Sequence, residues 1–182
     1  TPRFPPGAGL STAHTWEART GRSVLVRPIT PADFELERNF VYGLSREAGY
    51  QRLMNPRTPS IAELQRWTRI DPAQEGALIA TILEGSPEQQ IGLARYCLEA
   101  GDGEAEFAIV IADAWQGTGV GQHLLSSLIE LARQSGVRRL TGTTLSDNRG
   151  MLGLARRLGF QRSRMPGAAI YTLLALDLHA PT

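Results

Sequence analysis

A chain of 182 residues, 42% of them hydrophobic and 20% charged, has the size and balance of one globular domain and is unlike a disordered or fibrous polymer. Its formal net charge of +1 gives no global field that would steer it to nucleic acid or to an anionic membrane. No apolar run approaches the roughly 20 residues that cross a bilayer, and the first residues lack the apolar core of a secretory signal, so a cytoplasmic protein, monomer or homodimer, is expected.

Residues 1–22, rich in Pro, Gly, Ala and Thr, read as an N-terminal arm, loosely ordered, with Trp16 as its anchor. The domain proper, 23–182, opens on the β-branched run Val24 to Ile29. Thr30 then caps a helix with Pro31 in its first turn, and Phe34, Leu36, Phe40, Val41 and Leu44 make its apolar stripe. A second helix follows Ser60, which forms a capping box with Glu63, and carries Ile61, Leu64, Trp67 and Ile70 on one face. Three strands come next, Ala77 to Leu83, Ile91 to Leu98 and Glu104 to Ala112. Turn-rich separators between them predict an antiparallel meander. A glycine-rich loop leads into a helix with Leu124, Leu125, Leu128, Ile129 and Leu131, stopped by Gly136. Leu140 to Leu145 reads as a strand, Asn148 to Leu158 as a helix, and Ile170 to Leu178 as a last strand. The order β-α-α-β-β-β-α-β-α-β predicts a mixed α/β layer rather than a doubly wound sheet.

The most informative stretch runs from Glu104 to Leu125, where a strand feeds Gln116-Gly117-Thr118-Gly119-Val120-Gly121 and then a helix. Glycines at alternate positions let backbone N–H groups crowd together, and the helix presents its positive end to the same place, an arrangement suited to a pyrophosphate. The dinucleotide fingerprint fails, because its third glycine would fall on Gln122 or Leu124. A P-loop fails for want of a lysine. What remains is Gln/Arg-x-x-Gly-x-Gly/Ala, met by Gln116, Gly119 and Gly121; a strand-to-helix turn with no ligand is the plainer alternative.

That hexapeptide is the pyrophosphate signature of GNAT acyltransferases, which the chain resembles over roughly residues 23–178. The helix opening at Asn148 and closing in Gly159-Phe160, and the first strand followed by Thr30-Pro31-Ala32-Asp33, are similar to the same family. Within it, Leu44-Ser45-Arg46-Glu47 with Tyr50 and Arg52, Ala105-Glu106-Phe107-Ala108, Trp115-Gln116-Gly117 and Met151-Leu152 resemble bacterial Pat-type protein-lysine acetyltransferases. Gly49 and Met54-Asn55 depart from that pattern. The resemblance implies a GNAT fold: a splayed, mostly antiparallel sheet of about six to seven strands with about four helices. It also implies acetyl-CoA as cosubstrate, its pantetheine amides pairing with the backbone of Ile109, Val110 and Ile111 as an added strand would. Gln116, Gly117, Thr118, Gly119, Val120, Gly121 and Gln122 would hold the pyrophosphate, with Asn148 on the pantetheine or phosphate side and Met151 also in contact with the cofactor.

Acyl transfer to a lysine-type amine needs a base, since only about one such amine in 10³ is neutral at pH 7. Glu106 is the candidate: it lies where Pat-type enzymes carry their base, on a face shared with the small Ala108, and Glu104 is the second choice. Ala155 occupies the position where many relatives carry a tyrosine acid, so the thiolate would take its proton from solvent; Tyr171 is a remote substitute. Cys97, the only cysteine, excludes an intrachain disulfide and reads as a buried inert thiol rather than a nucleophile. His14, His123 and His179 have no metal-ligand spacing, and His123 reads as either solvated or near the phosphates. Trp115 reads as packed, and the basic pairs Arg138-Arg139 and Arg156-Arg157 as solvated or facing a polyphosphate. The favoured reading is an N-acetyltransferase acting on protein lysine. The alternatives are a small-molecule amine acceptor, or a non-catalytic acyl-CoA-binding sensor.

Overall fold

A computed structural model describes residues 13–44, 59–84, 87–99 and 101–178. The Ser45–Arg52 part of the Pat-like stretch, Gly49, Met54, Asn55, His179 and Gly85-Ser86 between the first two strands of the expected meander lie outside these residues.

Among the described residues eight strands form one sheet in the order β1-β2-β3-β4-β5-β6-β8-β7. They are β1 (His14–Glu17), β2 (Ser23–Pro28), β3 (Glu75–Ile82), β4 (Gln89–Leu98), β5 (Glu104–Ile111), β6 (Arg139–Leu145), β7 (Gln161–Arg164) and β8 (Tyr171–Asp177). Every neighbour pair is antiparallel except β5 with β6. The described helices are α1 (Phe34–Tyr42), α2 (Ile61–Thr68), α3 (Val120–Gln134) and α4 (Arg149–Arg157).

The sheet is buried on both faces at its centre, which explains why β3 is apolar almost throughout. Leu78 and Ala80 join Tyr96, Leu124, Leu125, Leu128 and Leu140 in the core under α3 and α4. Ala77 and Ile79 point the other way, to Phe40, Val41, Leu64 and Leu93 under α1 and α2. The capping box at Ser60 forms, with the Glu63 N–H donating to Oγ at 3.1 Å. Pro31 opens a 3-10 turn (Pro31–Asp33) and α1 follows it, so the expected helix begins with a tighter turn.

Eight strands stand against the expected six to seven, and β1 and β7 are not among the segments read as strands from the sequence. β7 is exposed at every residue and carries no apolar alternation, so no hydrophobic signal marks it. β1 lies inside the stretch expected as an arm, yet it pairs with β2 from His14–Val26 to Glu17–Ser23. The sheet's first edge therefore starts before residue 23.

The feature that positions the site is a fork. β5 and β6 pair only from Glu104–Arg139 to Glu106–Thr141, whereas β5 continues along β4 to Ile111–Gly92 and β6 along β8 to Leu145–Tyr171. Beyond Glu106 the two strands part and leave one edge of β5 open. Gly142 stands at the fork: a Cβ there would lie 2.6 Å from Phe107 Cε1, so only glycine lets that ring close the base of the gap.

Candidate active site

The open edge of β5, the loop before α3 and the first turns of α4 enclose a cleft of about 270 Å³. Of the residues expected to hold a cofactor, Ile109, Val110, Ile111, Gln116, Gly117, Gly119, Gly121, Gln122, Asn148 and Met151 line it. Thr118 and Val120 do not. The Thr118 hydroxyl donates to the Trp115 carbonyl at 2.5 Å, which tightens the loop, and Val120 is buried in the core. The Val110 side chain turns to the α1–α2 core, so it meets the cleft through its backbone. Asn148 caps α4, its Oδ1 accepting from the Met151 N–H at 3.1 Å.

Gly117 and Gly119 have φ of +77° and +91°, and Gly119 is the N-cap of α3. The His123 N–H donates to the Gly119 carbonyl at 3.1 Å, the first bond of the helix. The N–H groups of Gly119, Val120, Gly121 and Gln122 precede it and have no intrahelical acceptor. Among the described residues the cleft lining contains two guanidinium groups, Arg19 and Arg157, and no carboxylate. Orphan amides, a positive helix end and two cations without a countercharge fit a polyphosphate.

Glu106 stands at the base of the fork. It is the ionisable residue of a small cavity of about 100 Å³ that shares Ile109, Asn148 and Met151 with the cleft. It also lines a wider cavity of about 320 Å³, with Glu99, Arg139, Thr141, Thr143, Ser163 and Leu173. Glu106 is exposed on its strand, yet partial desolvation at the cavity wall first, and then the charge and hydrogen bond of Glu99, hold its carboxyl above the ordinary glutamate range. Glu104, paired opposite Arg139, lines none of these cavities.

The structure corrects several expectations and completes others. Cys97 is exposed rather than buried, because it alternates with Tyr96 onto the face away from α3, near the end of β4. Trp115 is packed, 5% exposed, with the Arg22 guanidinium 4.2 Å above its ring. His123 is partly buried and does not line the cleft: it stacks on Trp16 at 4.6 Å, and its Nε2 lies 2.6 Å from His14 Nε2. Burial, and then the neighbouring His14, push the His123 imidazole below its ordinary value. Tyr171 begins β8 and does not line the cavities around Glu106. Sequence reasoning missed Glu99 and Arg19. Glu99 is separated from Glu106 by the β4–β5 hairpin, and Arg19 lay in the stretch taken as an arm; no local pattern marks either.

A family model described as Acetyltransferase (GNAT) domain matches residues 23–161. "Acetyltransferase PA5475" of Pseudomonas aeruginosa is 35% identical over 159 residues, covering 87% of this chain and 86% of that protein. "Acetyltransferase Pat" of Mycolicibacterium smegmatis is 33% identical over 144 residues, covering 79% of this chain, which spans only 43% of that protein's length. Among solved structures, the GNAT domain of S. lividans PAT superposes with a TM-score of 0.82 at 29% identity, covering 96% of this chain and 99% of that one.

Proposed function

The chain belongs to the GNAT acetyltransferase family, with acetyl-CoA as its cosubstrate, and from that premise we propose that Glu106 is the general base of transfer to an amine, with protein lysine the favoured acceptor. The observation that carries this reading is the place of Glu106, which lines both the small cavity adjoining the cofactor cleft and the wider one. A lysine side chain reaches it from the wider cavity, whose Thr141, Thr143 and Leu173 suit an alkyl stem.

The amine arrives as an ammonium ion with a pKa near 10.4, and a carboxylate of raised proton affinity is better matched to take its proton. The thioester of acetyl-CoA supplies the electrophilic carbonyl: the nitrogen–carbon bond forms, the carbon–sulfur bond breaks, and the thiolate leaves. Ala155, buried in the core, places no acid on α4, so solvent returns that proton. Asn148, Met151 and the open backbone edge of Ile109 to Ile111 hold the pantetheine, and Gln116, Gly117 and the backbone amides of Gly119 to Gln122 the pyrophosphate.

Arg139 favours one second reading. It lines the acceptor-side cavity, its one ion pair among the described residues being a loose contact to Asp177 3.8 Å away, and would meet the carboxylate of an amino-acid acceptor whose amine faces Glu106. CoA release with acetyl-CoA, measured against lysine-containing peptides, free amino acids and polyamines, separates the readings. We expect internal lysine peptides to be turned over best. Turnover confined to free amino acids would establish the second reading, and binding without release on any amine would make the chain a sensor.

Glu99 supplies a further expectation. Its charge and hydrogen bond help raise the Glu106 carboxyl, so Glu99→Gln lowers the affinity of Glu106 for its proton. Because the ionised form is the base, the acid limb of kcat/KM against pH moves to lower pH in this variant. A limb that stays in place, or moves up, would remove Glu99 from this role.

A further inference from the structure

Arg19 belongs to the β1–β2 hairpin, outside the residues matched by the family model, yet it reaches the cofactor cleft. The hairpin turn is closed by the Ala18 N–H donating to the Arg22 carbonyl and the Gly21 N–H to the Ala18 carbonyl, both at 2.9 Å. It is docked on the loop before α3 by the Arg19 N–H, which donates to the Thr118 carbonyl at 3.2 Å. Trp16 stacks on His123 in the first turn of α3, and Arg22 lies over Trp115 while pairing with Glu84 at 2.6 Å. The backbone that carries Arg19 is thus held against the glycine loop on several sides. Its Nε lies 3.6 Å from the point where a Cβ on Gly119 would stand.

The electrostatics of that place are one-sided. Among the described residues Arg19 makes no ion pair, and the cleft lining includes no carboxylate. The positive end of α3 lies beside it and repels a guanidinium. Arg22, three residues on, has Glu84 as a countercharge. A cation held beside a positive helix end without an anion of its own is a half-built anion site, completed only when a ligand brings the charge.

We propose that Arg19 binds the pyrophosphate of CoA, closing from the β1–β2 hairpin the side of the cradle that the amides of Gly119 to Gln122 leave open. The inference rests on acetyl-CoA as cosubstrate and not on the identity of the acceptor or the base, so it is tested by binding alone. A phosphate-directed guanidinium forms charge-assisted bonds in a solvent-exposed cleft, and its loss weakens binding about ten-fold.

The experiment titrates wild type, Arg19→Gln and Arg19→Lys with CoA, 3′-dephospho-CoA and S-acetylpantetheine, by calorimetry for the first two and NMR for the last. Arg19 is exposed, and matching thermal melts confirm that the variants fold. The expected result is about a ten-fold loss for Arg19→Gln with both CoA and 3′-dephospho-CoA and none with S-acetylpantetheine. Partial recovery is expected in Arg19→Lys. The proposal is overturned if Arg19→Gln binds CoA as wild type does, or if the loss disappears with 3′-dephospho-CoA, which would put Arg19 on the 3′-phosphate. An equal loss with S-acetylpantetheine also overturns it, because the effect would then be on the shape of the cleft. Failure of wild type to bind CoA would instead refute the cosubstrate, a separate outcome.

Discussion

Glu106→Gln is expected to keep its affinity for acetyl-CoA and to lose about 10²–10⁴-fold in turnover at neutral pH, the range that a positioned base contributes. The residue stands at the fork rather than in the phosphate cradle, so binding and turnover separate. The deficit depends on pH in a defined sense. With Glu106 as the base, the wild-type rate is expected to rise as it ionises, above the ordinary glutamate range because partial desolvation and Glu99 favour its proton. Glutamine removes that limb, and the remaining rate follows the fraction of amine that arrives neutral. The two profiles therefore converge as pH climbs toward the amine's own pKa near 10.4. Glu104→Gln is the control, since Glu104 lines none of the cavities around the fork. A full-rate Glu106→Gln enzyme at pH 7 would end the assignment. Stability should move the other way. The folded state raises the pKa of Glu106, so ionisation costs stability as pH rises past the unfolded value. Replacing the carboxylate by glutamine removes that cost, and urea unfolding at pH 7 should show the variant no less stable than wild type.

The second large effect is expected at Gly119. Its φ of +91° is a conformation that a β-branched residue rarely adopts, and a Cβ there would stand 3.2 Å from Trp16 Cη2. Gly119→Val should thus rebuild the N-cap of α3 and turn the orphan amides of the cradle, at a backbone cost of about 1–3 kcal/mol if the loop resisted. CoA affinity falls about 10–100-fold on either route, since that energy corresponds to one to two powers of ten. The added side chain is directed at Trp16, so the loss arises from loop geometry rather than from valine filling the phosphate's place. Calorimetry on a variant that melts as a folded protein decides the matter: wild-type affinity would mean that the loop's left-handed glycine is not needed for the cofactor.

Local chemistry was enough to read much of this protein. Ser60 with Glu63, Asn148 at the start of α4 and the left-handed glycines before α3 are signals carried within a few residues, and each element formed where its signal stood. Alternation along β5 separated Phe107, Ile109 and Ile111 from Glu106, Ala108 and Val110 because a strand's side chains change face at every residue. The Gln116–Gly121 loop, read in that setting, was sufficient to identify the family and its cosubstrate.

Tertiary structure decided what depends on pairing between distant segments. β7 has no apolar residue to announce it and exists because β8 offers an edge. The β1–β2 hairpin was indistinguishable from a loose arm until Trp16 met His123 and the Arg19 amide met Thr118. Cys97 carries the sequence of an interior strand residue, but its exposure depends on how far the covering helices extend over β4. The fork itself follows from β5–β6 pairing that stops at Glu106, and the environment of that carboxylate depends on Glu99, brought beside it by a hairpin. Residue types and short spacings determine local conformation and chemical potential; which carboxylate faces a cavity, and which cation is left without a partner, are set by packing that no local window contains.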